Sequence, residues 1–175
     1  MAHVDQLWAG WRAEYVMKAA DDSRMRRSGE DAPQCLLCAL KDEGPDHYVV
    51  ARSELFFVVM NLYPYSNGHL MVVPNEHHQY LDDFSDEVRN DLIKATNSAT
   101  TILREIYNPD GINVGINMGE AAGAGVPGHL HIHVLPRWIA DAGFITTVAN
   151  TRTLPETLES SYSRIRDAWP ESERV

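Results

Sequence analysis

The run His129-Leu130-His131-Ile132-His133-Val134-Leu135 constrains this chain most. Side chains on a β-strand alternate faces with a period of two. A strand here puts His129, His131 and His133 on one face and Leu130, Ile132 and Val134 on the other, against a core. Imidazole serves as nucleophile, general acid or base, or metal ligand. Three at strict alternation, with a glycine-rich stretch just before them and Pro136-Arg137-Trp138 just after, point to an active site rather than a solvated face.

The rest of the chain supplies a scaffold for such a strand. Length 175, with 44% hydrophobic and 23% charged residues, suits one domain with a real core. Leu7, Trp8, Trp11, Tyr15 and Ala19 recur at helical spacing, which predicts a helix over 4–20, followed by a polar connector to Pro33. Cys35 to Cys38 reads as a tight turn. Strands are predicted at Tyr48–Arg52, Leu55–Met60 and Gly68–Val73, with a turn at Ser53-Glu54 and a loop over Asn61–Asn67. Ser85 caps a long helix that ends near Tyr107, stopped by Asn108-Pro109-Asp110-Gly111. Further strands are expected at Ile112–Met118, His129–Leu135 (closed by Pro136) and Phe144–Val148, with a terminal helix over 155–169. Strands in two groups around one long helix predict an α+β fold with a mainly antiparallel sheet. The chain divides into an N-terminal helix and connector (1–34), a catalytic domain (35–150) and a C-terminal helical extension (151–175).

A net charge of -10 offers no broad basic surface to nucleic acid, so a nucleic-acid partner is not expected. A small phosphorylated substrate needs only local positive potential. No apolar run reaches 18 residues, so no membrane span is expected. Charges at Asp5, Arg12, Glu14 and Lys18 break up the first twenty residues, unlike a signal peptide, and place the protein in the cytoplasm. In that reducing compartment Cys35 and Cys38 favour a metal or redox site over a disulfide.

The histidine segment resembles the signature of the histidine triad (HIT) superfamily, with apolar residues between the histidines. Asn61 to Pro74, which includes Gly68-His69, is similar to that family's nucleotide-binding loop and strand. Gly111 to Trp138 is similar to its phosphate-binding half, and Asp141 and Phe144 to residues that follow the triad in some subgroups. The resemblance spans about Cys35 to Val148. It implies a five-stranded sheet, joined into a ten-stranded one in a homodimer.

It also implies a mechanism. His131 would attack the α-phosphorus of a nucleotide and form a nucleotidyl-histidine, resolved by water, phosphate or another acceptor. His133 would donate to the phosphoryl group. Asn61 resembles a ribose contact, Asn117 a polar group near the phosphates, and His69 a histidine that supports the triad from a neighbouring strand. The loop Gly123-Ala124-Gly125-Val126-Pro127-Gly128 lacks the Gln and Ser or Thr that many members place there. Backbone N–H groups around Gly123 and Gly125, or Arg137, would replace those donors. Arg137 has a second reading, as the partner of a surface acid. In zinc-bearing members the ligands correspond to Cys35, Cys38, His77 and His129, with His78 the alternative to His77, and that zinc is structural.

Among the family's branches, the features around Asn61, the Gly-Ala-Gly loop and Pro136-Arg137-Trp138 are most similar to dinucleoside polyphosphate hydrolases and diadenosine tetraphosphate phosphorylases. The Hint-like phosphoramidases are the alternative within the family. A zinc-stabilised nucleotide-binding module without turnover, or a non-catalytic interaction protein, are the alternatives outside enzymology.

Overall fold

In the computed structural model, residues 35–141 and 154–175 are described, and they fall within one unit. The predicted helix over 4–20, the connector to Pro33 and the predicted strand Phe144–Val148 lie outside them.

Local chemistry sets most element boundaries. A short helix α1 (Leu36–Leu40) replaces the expected tight turn, because the Ala39 N–H closes a helical turn onto the Cys35 carbonyl at 3.0 Å. Strands β1 (Val49–Arg52) and β2 (Phe56–Met60) form a hairpin. Its turn is tied by Ser53, whose Oγ accepts from the N–H groups of Leu55 and Phe56, both at 3.1 Å. Strand β3 (Leu70–Pro74) follows. Helix α2 (Asp86–Tyr107) starts where the Ser85 hydroxyl accepts the Val88 N–H and stops at Asn108 in the left-handed conformation.

Strand β4 (Gly111–Ile116) ends two residues earlier than its apolar run, because its partner β5 (Ile132–Arg137) begins opposite Ile116. Strand β5 runs through Pro136 rather than stopping there. Its pairing with β3 ends at the Leu70–Val134 pair, so the missing proline N–H leaves no ladder bond unmade. His129 to His131 precede the ladder; the Leu130 N–H donates instead to the His78 carbonyl at 2.8 Å. Helix α3 (Leu158–Ala168) begins after Thr157, whose hydroxyl accepts the Ser160 N–H.

The sheet is fully antiparallel in the order β1-β2-β3-β5-β4. Its period-2 pattern splits the apolar residues between two faces. Phe56, Val58, Met60, Leu70, Val72, Ile132 and Val134 face α2 and α3 in the main core. Phe57, Val59 and Val73 face the other way, with Leu37 of α1 packed on them. The histidines lie on that second face. After α3 the chain returns to β1: the Arg52 N–H donates to the Glu173 carbonyl at 2.7 Å and the Val175 N–H to Val50 at 3.2 Å. This covers the β1 edge and, among the described residues, leaves β4 as the unpaired one. No helix among the described residues is long and apolar enough to cross a membrane.

Candidate active site and metal centre

The expected alternation holds. Leu130, Ile132 and Val134 are in the main core, while His129, His131 and His133 turn away from it. The three imidazoles nevertheless have different surroundings. His129 and His131 are buried, and His133 is half-buried.

His131 sets the chemistry. Its Nδ1 lies 2.9 Å from the backbone carbonyl of His129. A carbonyl only accepts, so Nδ1 carries the proton and Nε2 keeps its lone pair. Burial holds the His131 pKa below the usual imidazole range, and the bond to the His129 carbonyl opposes that only in part. The ring is therefore neutral near pH 7, with one nucleophilic nitrogen. The His133 ring stands edge-on to it, centroids 4.9 Å apart.

His133 is backed by His69, whose Nε2 is 2.9 Å from His133 Nδ1. The pairing of β3 with β5 sets Met71 opposite His133, so His69, two residues before Met71, shares its face. His69 is fully buried, and its Nδ1 accepts the Tyr65 N–H at 3.1 Å. The Asn61 amide lies 3.4 Å from the same nitrogen. Asn61 Oδ1 in turn accepts the Tyr63 N–H at 2.9 Å, which orients the amide. His69 thus stands behind His133 and engages protein groups through both ring nitrogens. Sequence reasoning missed Tyr65, which contributes a backbone N–H and a ring 4.8 Å from His69. No side-chain pattern signals a backbone donor.

The remaining expected contacts are arranged unequally. Asn117 directly follows the Ile116–Ile132 pair that ends the β4–β5 ladder, and His131 directly precedes it. Gly123 adopts φ 83° and its N–H closes a turn onto the Glu120 carbonyl at 2.9 Å, so it shapes the loop. Gly125 follows buried Ala124, and Val126 packs under the sheet. Arg137 is six residues from His131, about 20 Å along an extended strand. Its guanidinium binds Asp141 at 2.7 Å and Asn113 at 2.8 Å, which is the surface-acid reading.

Four donors converge beside this face. Ligand atoms of Cys35, Cys38, His77 and His129 all lie within 4.8 Å of one another. Nδ1 of His129 is 3.5 Å from each sulfur, and Nδ1 of His77 is 3.1 Å from Cys38 Sγ. A tetrahedral ion with bonds of about 2.3 Å to sulfur and about 2.0 Å to nitrogen sets sulfur and nitrogen about 3.5 Å apart, so the cluster could hold a metal. His129 Nε2 donates to the Pro74 carbonyl at 2.9 Å, which directs the bare Nδ1 at the sulfurs. Burial lowers the His129 pKa to about 4, keeping that nitrogen unprotonated. Burial and the neighbouring Cys35 push the Cys38 thiol up to about 11, a state that a bound dication reverses. His78 is directed instead at Glu76, 3.4 Å away, and at the Phe84 ring, so His77 is the fourth donor.

The HIT domain profile matches residues 42–138. The chain belongs to the HIT domain family. A protein of Mycobacterium tuberculosis named AP-4-A phosphorylase is 36% identical over 167 residues, 95% of this chain and 85% of that one. A Schizosaccharomyces pombe protein named bis(5'-nucleosyl)-tetraphosphatase (asymmetrical) is 31% identical over 93 residues, 53% of this chain and 50% of that one. Both names are those of enzymes. Among solved structures, a zinc-bound histidine triad family protein from Mycobacterium smegmatis superposes with a TM-score of 0.62 at 29% identity, covering 77% of this chain and 92% of that one. The α+β sheet of this HIT domain is thus shared with a solved relative.

Proposed function

We propose that the protein is a nucleotidyltransferase that splits dinucleoside polyphosphates at the α-phosphate through a nucleotidyl-His131 intermediate. One observation carries this reading: the His131–His129 carbonyl bond leaves Nε2 bare on a buried, neutral imidazole. The Nε2 lone pair attacks the α-phosphorus, and the P–O bond to the departing nucleoside polyphosphate breaks. An oxygen of the acceptor then attacks phosphorus, the P–N bond breaks, and its electron pair returns to Nε2. His133 donates to the phosphoryl oxygens, Asn117 and backbone N–H groups around Gly125 add polar contacts, and Asn61 meets the ribose.

The relative matched along 95% of the chain carries the name of a phosphorylase, which supports phosphate over water as acceptor and diadenosine tetraphosphate as substrate. Cys35, Cys38, His77 and His129 are the proposed ligands of one structural zinc, a reading supported by the zinc-bound relative. Four protein ligands leave no open position for chemistry, so the ion's role is to brace the strand. A cytoplasmic location would keep both cysteines reduced.

Incubation with diadenosine tetraphosphate, with and without phosphate, tests the reading. Phosphate-dependent formation of ADP and ATP is the expected result. AMP and ATP without phosphate would make the protein a hydrolase. Cleavage of a nucleoside phosphoramidate alone would place it in the Hint-like branch. Tight binding without turnover would leave a nucleotide-binding module.

A further inference from the structure

The four-donor cluster and the glycine-rich loop share the residues at their junction. The loop Gly123–Gly128 leads into His129, whose N–H closes the last turn onto the Val126 carbonyl at 3.3 Å. The Val126 side chain packs onto the small apolar group on the histidine face, as do Leu37 of α1 and the Cys35 side chain. Gly128 lies behind His77: a Cβ built on it would stand 3.4 Å from His77 Nε2, an ordinary contact distance. The other nitrogen of that ring, Nδ1, is 3.1 Å from Cys38 Sγ. The end of the loop therefore meets the cluster through a ligand, the back edge of a second ligand and the apolar group that seats α1.

Neither side of that junction is rigid by itself. Helix α1 has five residues, far short of the roughly 12–15 that an isolated helix needs. Its place is set by the burial of Leu37 and by whatever holds Cys35 and Cys38 against His77 and His129. The loop carries Gly123, Gly125 and Gly128, and glycine gives up more backbone freedom on ordering than any other residue. A phosphate bound by the N–H groups of such a loop has to order it, so a contact that orders it beforehand strengthens binding.

We infer that Val126 and Gly128 are positioning residues that couple the four-donor cluster to this loop, so that a metal held by Cys35, Cys38, His77 and His129 pre-orders Gly123–Gly128 for a nucleotide phosphate. Ligation fixes α1 over its apolar seat, Val126 packs onto that same seat, and the fixed His77 ring backs Gly128. The metal centre then controls nucleotide affinity as well as the placing of the histidine strand. The choice of ligand rests on the proposed function; the coupling between cluster and loop does not.

The test uses the full chain, stripped of metal with a chelator and then reloaded with zinc. Amide hydrogen exchange reads the loop directly. Zinc should slow exchange at Gly123 to Gly125, none of them a ligand, by at least about fivefold, and leave α2 unaltered. Calorimetry with AMP reads the consequence. The zinc-loaded wild type should bind AMP about tenfold more tightly than the stripped protein, and AMP should tighten zinc by the same factor, because such coupling is reciprocal. Val126→Ala keeps all four donors and should still take up one zinc, with the coupling factor reduced to about threefold or less. Val126→Ile preserves the apolar contact and should retain the wild-type factor.

An AMP affinity indifferent to zinc overturns the inference, and so does loop exchange indifferent to zinc. An undiminished factor in Val126→Ala, or an equal loss in Val126→Ile, removes Val126 from the coupling and has the same effect. Loss of protection throughout α2 when the metal is removed would make the ion a determinant of the whole fold and overturn a local coupling. A wild type that takes up no zinc refutes the metal centre and the coupling with it. A wild type that takes up zinc but binds no AMP in either state sinks the proposed nucleotide chemistry, and exchange at the loop then decides the coupling alone.

Discussion

His131 is bonded through Nδ1 to the backbone carbonyl of His129, and the side chain of that same His129 offers its own Nδ1 to Cys35 and Cys38. One residue therefore links the proposed metal centre to the proposed nucleophile through a single hydrogen bond, so the two proposed functions can be separated by substitution.

His131→Ala removes the proposed nucleophile and leaves the proposed ligand His129 in place. Turnover should drop by at least about a thousand-fold, with an unchanged metal content and the far-ultraviolet circular dichroism of the native fold. Residual activity within tenfold of wild type would exclude His131 as the attacking group.

Metal analysis of protein purified without chelators should return one zinc per chain. Such an ion would tie the start of α1 to the segment that leads into β5, more than 90 residues apart in sequence. An ion at 100 times its Kd adds about 2.7 kcal/mol, so a strong chelator should lower Tm by about 5–10 °C. Cys38→Ser should do the same, and an unchanged Tm in both would contradict the site.

Much of this was legible in the sequence because it rests on side-chain period and local chemistry. The alternation from His129 to Val134, the Ser85 cap and the Asn108 stop each need only a few consecutive residues. The metal cluster came from resemblance, and the structure chooses His77 over His78 because Glu76 and Phe84 engage the latter. What could not be read is which backbone groups serve as partners. The Pro74 carbonyl behind His129, the His129 carbonyl behind His131 and the Tyr65 N–H behind His69 have no side-chain signature. Strand ends were misjudged at Pro136 and Ile116 for a related reason: ladder pairing depends on where the partner stops, not on the strand's own residues.

Glu156 anchors the start of α3, accepting from Tyr107 and Ser161 at 2.8 Å and from Arg164 at 2.6 Å. Burial pushes its pKa up, but the bonds from Arg164, Ser161 and Tyr107 outweigh that and hold it below the usual carboxylate range. A depressed folded pKa gives stability that is present above the unfolded value, about 4.3, and lost as pH falls through the folded one. Glu156→Gln should cost about 1–2 kcal/mol at pH 7 by denaturant titration. The gap between variant and wild type should narrow below about pH 4. A gap that is constant or widens in acid would contradict the charge-based account.

Arg137→Met separates the two readings of that guanidinium. An exposed pair with Asp141 is worth roughly 0–1 kcal/mol, so turnover and KM should stay within about threefold of wild type. A rise in KM well beyond that, made worse by raising ionic strength in the wild type, would return Arg137 to the phosphates.

The β4 edge, unpaired among the described residues, argues for a second copy of the chain. The β1 edge is covered by residues 173–175, whereas β4 exposes Asn113, Gly115 and Val114, the last at 52%. A Cβ built on Gly111 or Gly115 meets nothing within 4 Å, so another backbone has room to approach. β4 carries no proline or lysine to guard it, which is how exposed edges are usually protected from pairing. Two β4 strands pairing antiparallel about a two-fold axis would join the sheets into one of ten strands, with Val114 near its own copy. Sedimentation should find a dimer at micromolar protein. Val114→Asp sets two like charges close together across that axis and should yield a folded monomer. A monomeric wild type would refute the joined sheet, and a dimeric Val114→Asp would move the interface away from β4.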